Sequence, residues 1–214
     1  MSQEALFEYH LYSLERAINL DKNILKQVAL FTAEGVPFTR EFLVIGNRYP
    51  FSRSTGARKD KLEVSAIISF ANNQASHLGI AIPKGEVRLY KNDSSGRLQF
   101  IGKDDIVHTP KGEEVKLNLG KAFDITCTRV QKDFKKLAGG DKYSSVYESS
   151  YEVTIKNSKK EPVVVKYLEP ISGTWQITFE NVKHEKPDAN SAMWTVEIPA
   201  EGEMKINFTV RVRY

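Results

Sequence analysis

The chain has 214 residues, of which 41% are hydrophobic and 27% charged. That balance excludes a disordered chain, and the length suits one large domain or two small ones. The net charge of +4 comes from 31 basic and 27 acidic residues interspersed along the sequence. A nucleic-acid partner is therefore not expected, because such a surface gathers its cations on one face.

The start, MSQEALFEYH, has no charged region followed by an apolar one, so it is not a signal peptide. It enters LFEYHLYSL, read as a strand, almost at once. This abrupt opening is read as an engineered start on a fragment of a longer protein. No apolar run approaches the ~18–20 residues of a membrane span, so no span is expected. Leu14, Ile18 and Leu25 have spacings that suit either a helix or a loop.

From there the periodicity is two almost everywhere. Val36, Phe38, Phe42 and Val44 share a face, as do Leu62, Val64, Ala66, Ile68 and Phe70. Val115, Leu117 and Leu119 form a shorter set. Further on come Tyr151, Val153 and Ile155; Trp175, Ile177 and Phe179; and Trp194, Val196 and Ile198. The last run, MKINFTVRVRY, places Met204, Ile206, Phe208, Val210, Val212 and Tyr214 on one face and polar residues on the other. A strand sends successive side chains to opposite faces, so these are half-buried strands.

Turn residues separate the runs: AEGVP at 33–37, NDSSG at 92–96 between VRLY and RLQFIG, KNSKKEP at 156–162 and PAEG at 199–202. Val130, Phe134 and Leu137, ahead of Gly139 and Gly140, fit a short glycine-capped helix or an extended segment equally well. The single cysteine, Cys127, excludes an intramolecular disulfide, which fits a cytosolic protein or an exported bacterial one. It alternates with Phe123 and Ile125 and is read as a small core hydrophobe.

These runs predict an all-β protein of antiparallel β-sandwich architecture. Two stretches, from Ser65 and from Ser150, share a layout: an alternating strand, a terminal asparagine (Asn72 or Asn73, and Asn157), a polar turn, an apolar run and a proline. The shared layout suggests two consecutive sandwich lobes, residues 1–120 and residues 121–214. The second has the size of an immunoglobulin-like domain.

The stretch HTPKGEEVKLNLGKAFD, His108 to Asp124, tests for phosphate chemistry. A phosphate loop needs a glycine-lysine-hydroxyl sequence that follows a strand and opens a helix. Here Ala122 follows Lys121, and the residues between Gly112 and Gly120 alternate as a strand. The reading is a turn at TPKG, a strand at EEVKLNL and a crossover at Gly120.

The same stretch, with YESSYEVTIKN, EPVVVKYLEP and NFTVRVRY, resembles an uncharacterised bacterial domain that forms the C-terminal part of mucoidy-inhibitor-like envelope proteins. The opening LFEYHLYSL and KQVALF are similar to that family as well. The resemblance implies a β-sandwich within a longer exported precursor, at the periplasm or cell surface. It carries no established activity and no catalytic residues.

Residue by residue, the search for chemistry returns little. His10, His77, His108 and His184 are too far apart in sequence for a local zinc site. His184, Glu185 and Asp188 fall in HEKPD, read as a solvated loop rather than a metal site. No nucleophile elbow is present. Adjacent carboxylates such as Glu113 and Glu114, or Asp104 and Asp105, would point to opposite faces of a strand. No catalytic residue, cofactor or metal is expected.

Trp175 and Trp194 could offer a sugar platform, though their apolar phase favours the core. The best binding candidate is the polar stretch 136–152, read as a partner-binding loop with Tyr143, Tyr147 and Glu148. The expected function is a non-catalytic structural or protein-interaction module. The alternatives are a carbohydrate-binding module and an envelope-acting hydrolase with a site between the lobes.

Overall fold

The computed structural model describes residues 2–7, 9–13, 17–19, 21–47, 51–138 and 145–214. They form strands β1 (Ser2–Leu6), β2 (Tyr9–Ser13), β3 (Thr39–Ile45), β4 (Lys59–Leu62) and β5 (Val64–Ala71). There follow β6 (Gly85–Asn92), β7 (Leu98–Ile106), β8 (Glu114–Lys121), β9 (Ile125–Leu137) and β10 (Val146–Asn157). The last five are β11 (Val163–Pro170), β12 (Thr174–Glu180), β13 (Glu185–Asp188), β14 (Ser191–Ile198) and β15 (Glu203–Arg213). One short 3-10 turn, Gln74–Ser76, is the only helical element among the described residues.

The architecture is an all-β sandwich. One sheet has the strand order β12-β15-β10-β9-β4 and the other β13-β14-β11-β3-β5-β8; β1-β2 and β6-β7 are separate two-stranded ribbons. The chain divides into two compact units. Unit one comprises Met1–Thr39 and Ile68–Leu117, and unit two comprises Arg40–Ile67 and Asn118–Tyr214. The crossing after Leu117 lies close to the expected boundary at Gly120, but Arg40–Ile67 belongs with the C-terminal unit. Local periodicity cannot show this, because β3 joins by a parallel pairing with β11, Phe42 opposite Val165 and Val44 opposite Tyr167, far away in sequence.

Unit two is built on long antiparallel ladders. β10 runs against β15 from Val146 opposite Arg213 to Lys156 opposite Glu203, and against β9 on its other side. The inward residues are those the alternation selects: Val153, Ile155, Ile206, Phe208, Val210 and Val212 are all buried. Trp194 of one sheet stacks on Phe208 of the other with ring centroids 4.6 Å apart, and Phe208 stacks in turn on Tyr151 at 5.3 Å. The first stack joins the sheets and the second ties β15 to β10 within one sheet, and each adds roughly 0.5–1.5 kcal/mol beyond the area it buries.

The outward face carries polar cross-strand pairs: Ser150 with Thr209, Lys156 with Glu203, and Glu152 with Lys132 and Lys205. The wet face expected of the last strand is therefore present on its neighbours too. The helix-like spacing of Val130, Phe134 and Leu137 belongs to a strand. A bulge around Lys132 slips the β9–β10 register, so that Gln131 faces Tyr151 while Asp133 faces Ser150. The slip moves the inward phase from odd to even numbers, so Phe134 turns inward opposite Ser149 while Val130 stays outward opposite Glu152. Phe123 lies before β9 and is exposed, whereas Ile125 and Cys127 are buried as expected.

The suggested repeat has a physical counterpart in two asparagines. The Asn72 amide, at the end of β5, donates to the carbonyls of Ile80, Thr109 and Pro110 at 2.7, 3.3 and 2.8 Å. The Asn157 amide, at the end of β10, donates to those of Glu161, Ile198 and Pro199 at 2.8, 3.5 and 2.9 Å. Thr109 faces Ile82 across an isolated bridge, as Ile198 faces Val163 in a full ladder. In each unit the turn after proline closes by a bond between residues three apart, Glu113 to Pro110 and Gly202 to Pro199. The third turn residue has positive φ in both, Gly112 at 94° and Glu201 at 51°. TPKGEEVKLNL and IPAEGEMKINF thus align in sequence without a gap, each pinned beneath a buried asparagine.

Asn72→Ala and Asn157→Ala each leave several carbonyls without a donor and are expected to cost about 2–4 kcal/mol in urea unfolding. Glu201→Gly relieves left-handed strain and is expected to stabilise by roughly 0.5–1 kcal/mol. A neutral result for both alanine variants would show that these asparagines do not hold the turns.

Candidate functional site

The most chemically suggestive cluster lies inside unit two. Arg129 of β9 grips Glu169 of β11 with two bonds, Nε to Oε2 at 2.9 Å and Nη2 to Oε1 at 3.0 Å. Its guanidinium lies 3.9 Å from the centre of the Tyr151 ring, and Asp60 approaches Nη1 at 3.8 Å. The Tyr167 hydroxyl also donates to Glu169. Arg129, Glu169 and Tyr167 are fully buried. Burial pushes the Glu169 carboxyl above its usual range, against the pull of Arg129. It pushes the Cys127 thiol up to about 12, with the Glu169 charge adding to it.

The group is withdrawn from solvent among the described residues. Gly46 seals it from the β3 side: a Cβ there would lie 2.9 Å from Glu169 Oε2 and 3.1 Å from the Tyr167 hydroxyl. The arrangement is a clamp between sheets. Beside it, Gln131 bonds Thr55, Ser149 and the Tyr151 hydroxyl, tying the loop before β4 to the core. No buried side-chain polar atom among the described residues lacks a partner.

The tryptophans pack as their phase predicts. Trp194 is buried completely and Trp175 is 9% exposed, so neither offers a flat face to a sugar. His184 lies between them, 5.9 Å from each ring centre, and its Nδ1 is 2.8 Å from Glu180 Oε2. Glu180 also accepts from the Trp194 indole at 3.2 Å. His184, Glu185 and Asp188 do not converge. Asp188 is turned to Asn190 and Ser191, whose bonds hold its carboxyl below the usual range. No metal-binding cluster of histidine, cysteine and carboxylates occurs among the described residues.

Of the stretch read as a partner-binding loop, Tyr143 lies outside the described residues. Tyr147 and Glu148 stand in β10 rather than in a loop. Tyr147 turns inward and stacks on Phe134 at 5.9 Å, with Tyr214 edge-on at 6.2 Å. Glu148 turns outward, where Arg211 grips it with Nε at 3.0 Å and Nη2 at 2.7 Å. The alternation of β10 thus sends these two neighbours to opposite faces.

Among the places where large apolar side chains are exposed is the β6–β7 ribbon of unit one. Its two strands pair from Gly85 opposite Ile106 to Asn92 opposite Leu98. On one face, Val87, Leu89 and Ile106 are half-buried. On the other, Tyr90, Leu98 and Phe100 are 48%, 65% and 55% exposed, with the Tyr90 and Phe100 rings edge to face at 5.6 Å. Toward the base, Glu86 is shared by Arg88 and Lys103 at 2.6 and 2.5 Å.

The turn at the far end is tightly organised. Asp93 Oδ1 accepts from the Ser95 N–H, the Ser95 hydroxyl and the Arg97 N–H at 2.9, 2.7 and 3.0 Å. Its other oxygen accepts from Gln99 at 2.9 Å, and Gly96 supplies the left-handed φ of 79°. These bonds, led by the Ser95 hydroxyl, hold the Asp93 carboxyl at about 2. A turn fixed in this way keeps the far end of the ribbon ordered. The sequence marked NDSSG as a turn, but exposed aromatics on a strand look like core residues until their burial is known.

No protein-family model matches the chain, and no curated protein matches its sequence.

Two predictions follow from these clusters. Glu169→Gln leaves the buried Arg129 without its counter-charge and is expected to cost about 3–5 kcal/mol, whereas Arg129→Met combined with Glu169→Leu recovers most of that loss; equal losses in urea unfolding would refute the clamp. The Asp93 carboxylate is held below its unfolded value near ~3.9. Its support of the turn is therefore complete above about pH 4 and is lost as the pH falls through about 2. Amide resonances of Ser95 and Arg97, followed by pH titration, should shift in that window, and Asp93→Asn should flatten the response.

Proposed function

We propose that this chain is a non-catalytic interaction module and that it docks a protein partner through the β6–β7 ribbon. The observation that carries the reading is the contrast between that ribbon and the edges of unit two. β4 is four residues long and carries Lys59 and Lys61. β13 is equally short and contains Pro187, and β12 is broken by a bulge at Thr178. Shortness, lysine, proline and bulges are the devices that stop edge strands from pairing with other chains. β6 has eight residues with no proline, pairs only with β7 among the described residues, and lies beside exposed aromatic side chains. β8, the remaining edge of the six-stranded sheet, is as long as β6 but carries Lys116 and Lys121, whereas β6 lies beside the exposed Tyr90, Leu98 and Phe100.

Two further points support the reading. In unit two, Arg129 is held by Glu169, His184 by Glu180 and Arg211 by Glu148. The resemblance to the C-terminal domain of mucoidy-inhibitor-like proteins supports an exported bacterial setting, as part of a longer envelope protein. The immunoglobulin-like description of the sandwich belongs to the same reading.

The test is site-specific crosslinking in the source cells, with a photoreactive phenylalanine analogue at position 100 and a control at Lys205 on the outward ladder. A discrete protein adduct is expected from position 100 alone. Leu98→Ser should abolish it while changing unfolding free energy by no more than roughly 0.5 kcal/mol. No adduct, or the same adduct from both positions, overturns the ribbon as the docking surface.

A further inference from the structure

The ribbon also indicates what it would bind. Tyr90, Leu98 and Phe100 together expose on the order of 300–400 Å² of side chain. A stable protein interface needs about 800 Å² per partner, so this apolar face alone is too small to hold one. The remainder must come from the backbone, and β6 is the strand that can offer it. β7 carries a bulge: Leu89 faces Gly102 while Tyr90 faces Phe100, leaving Ile101 unpaired. A bulge interrupts the even spacing of donors and acceptors that an added strand needs. β6 runs from Gly85 to Asn92 without such a break.

Charge narrows the choice further. Arg88 and Lys103 are neutralised by Glu86, and the Asp93 carboxylate is occupied by its own turn. Lys91 at the end of β6 and Arg97 across the turn are exposed, and among the described residues neither side chain meets a carboxylate. The open edge therefore carries Lys91 on the face opposite Tyr90, Leu98 and Phe100, with Arg97 at the turn.

We infer that β6 takes up an extended, acidic segment of a partner protein as a third strand of the ribbon; this rests on the interaction-module reading above. Main-chain hydrogen bonds to β6 supply affinity. Apolar side chains at alternate positions cover Tyr90 and its neighbours, and a carboxylate meets Lys91 and Arg97. An anionic bilayer is a poorer fit, because the leading end of the ribbon is Asp93, Ser94 and Ser95, whose polar groups would have to leave water.

The experiment uses the whole chain and a blocked octapeptide alternating valine and glutamate, with fluorescence anisotropy as the readout. Two control peptides are used, one with lysine in place of glutamate and one fully N-methylated. The expected result is saturable binding of the glutamate peptide, at least tenfold weaker binding of the lysine peptide and none of the N-methylated one. Lys91→Glu with Arg97→Glu, both at exposed positions, should reverse the preference between the two charged peptides. Equal binding of the N-methylated peptide overturns strand addition, and equal binding of the lysine peptide overturns the acidic partner.

Two other occupants have their own signatures. A concentration-dependent dimer in sedimentation that Phe100→Ser disperses assigns the ribbon to a second copy of the chain. Flotation with phosphatidylglycerol vesicles, lost in the same variant, assigns it to a membrane surface. Either outcome overturns the proposal. Failure of the peptide to bind while the adduct at position 100 persists removes strand addition and leaves the interaction-module reading standing. Loss of that adduct removes the reading itself.

Discussion

Every charged group placed inside this sandwich must be matched, and the pairing of Arg129 with Glu169 is where that constraint is most severe. Two full charges withdrawn from water cost several kcal/mol each unless their geometry is close to ideal. Here both guanidinium bonds are made, the Tyr151 ring covers the cation, and Tyr167 satisfies the carboxylate. These partners come from β9, β10 and β11, so the pair is satisfied only when the two sheets meet in one register. A one-residue slip of a strand would send the whole set to the opposite face. Gly46 extends the constraint to β3, which can approach only because it has no side chain there. The apolar stack of Tyr151, Phe208 and Trp194 supplies cohesion, and the ion pair dictates alignment.

The sequence was most legible where a strand has one apolar and one polar face. β15 follows its alternation closely, and Asn72 and Asn157 were visible as matching strand ends. Legibility failed where inward positions are polar. Arg129, Gln131, Ser149 and Glu169 point into the core, and alternation alone gives no reason to place a charge there. It failed again at Val130, Phe134 and Leu137, whose helix-like spacing gives no sign that β9 divides them between its two faces.

The ribbon was hidden for the opposite reason. Tyr90, Leu98 and Phe100 have the composition of core residues, and only their exposure sets them apart. Tyr147 and Glu148 misled by being adjacent: a pair that looked like one polar surface is divided between two faces of β10. The pairing of β3 with β11 carries no local trace at all, since it depends on how distant segments pack.

The bridge between Ile82 and Thr109, locked from one side by Asn72, brings the two ends of the ribbon excursion together. In unit two the matching ends, Val163 and Ile198, enclose β11 to β14, a much larger elaboration on the same closure. One hydrogen-bonded gate thus frames a short two-stranded ribbon in one unit and a substantial part of a sandwich core in the other. The segment beyond such a gate can change length and sequence without disturbing the strands that carry it. Residues 85–106 are thus an insert carried on a closure that does not depend on their own sequence.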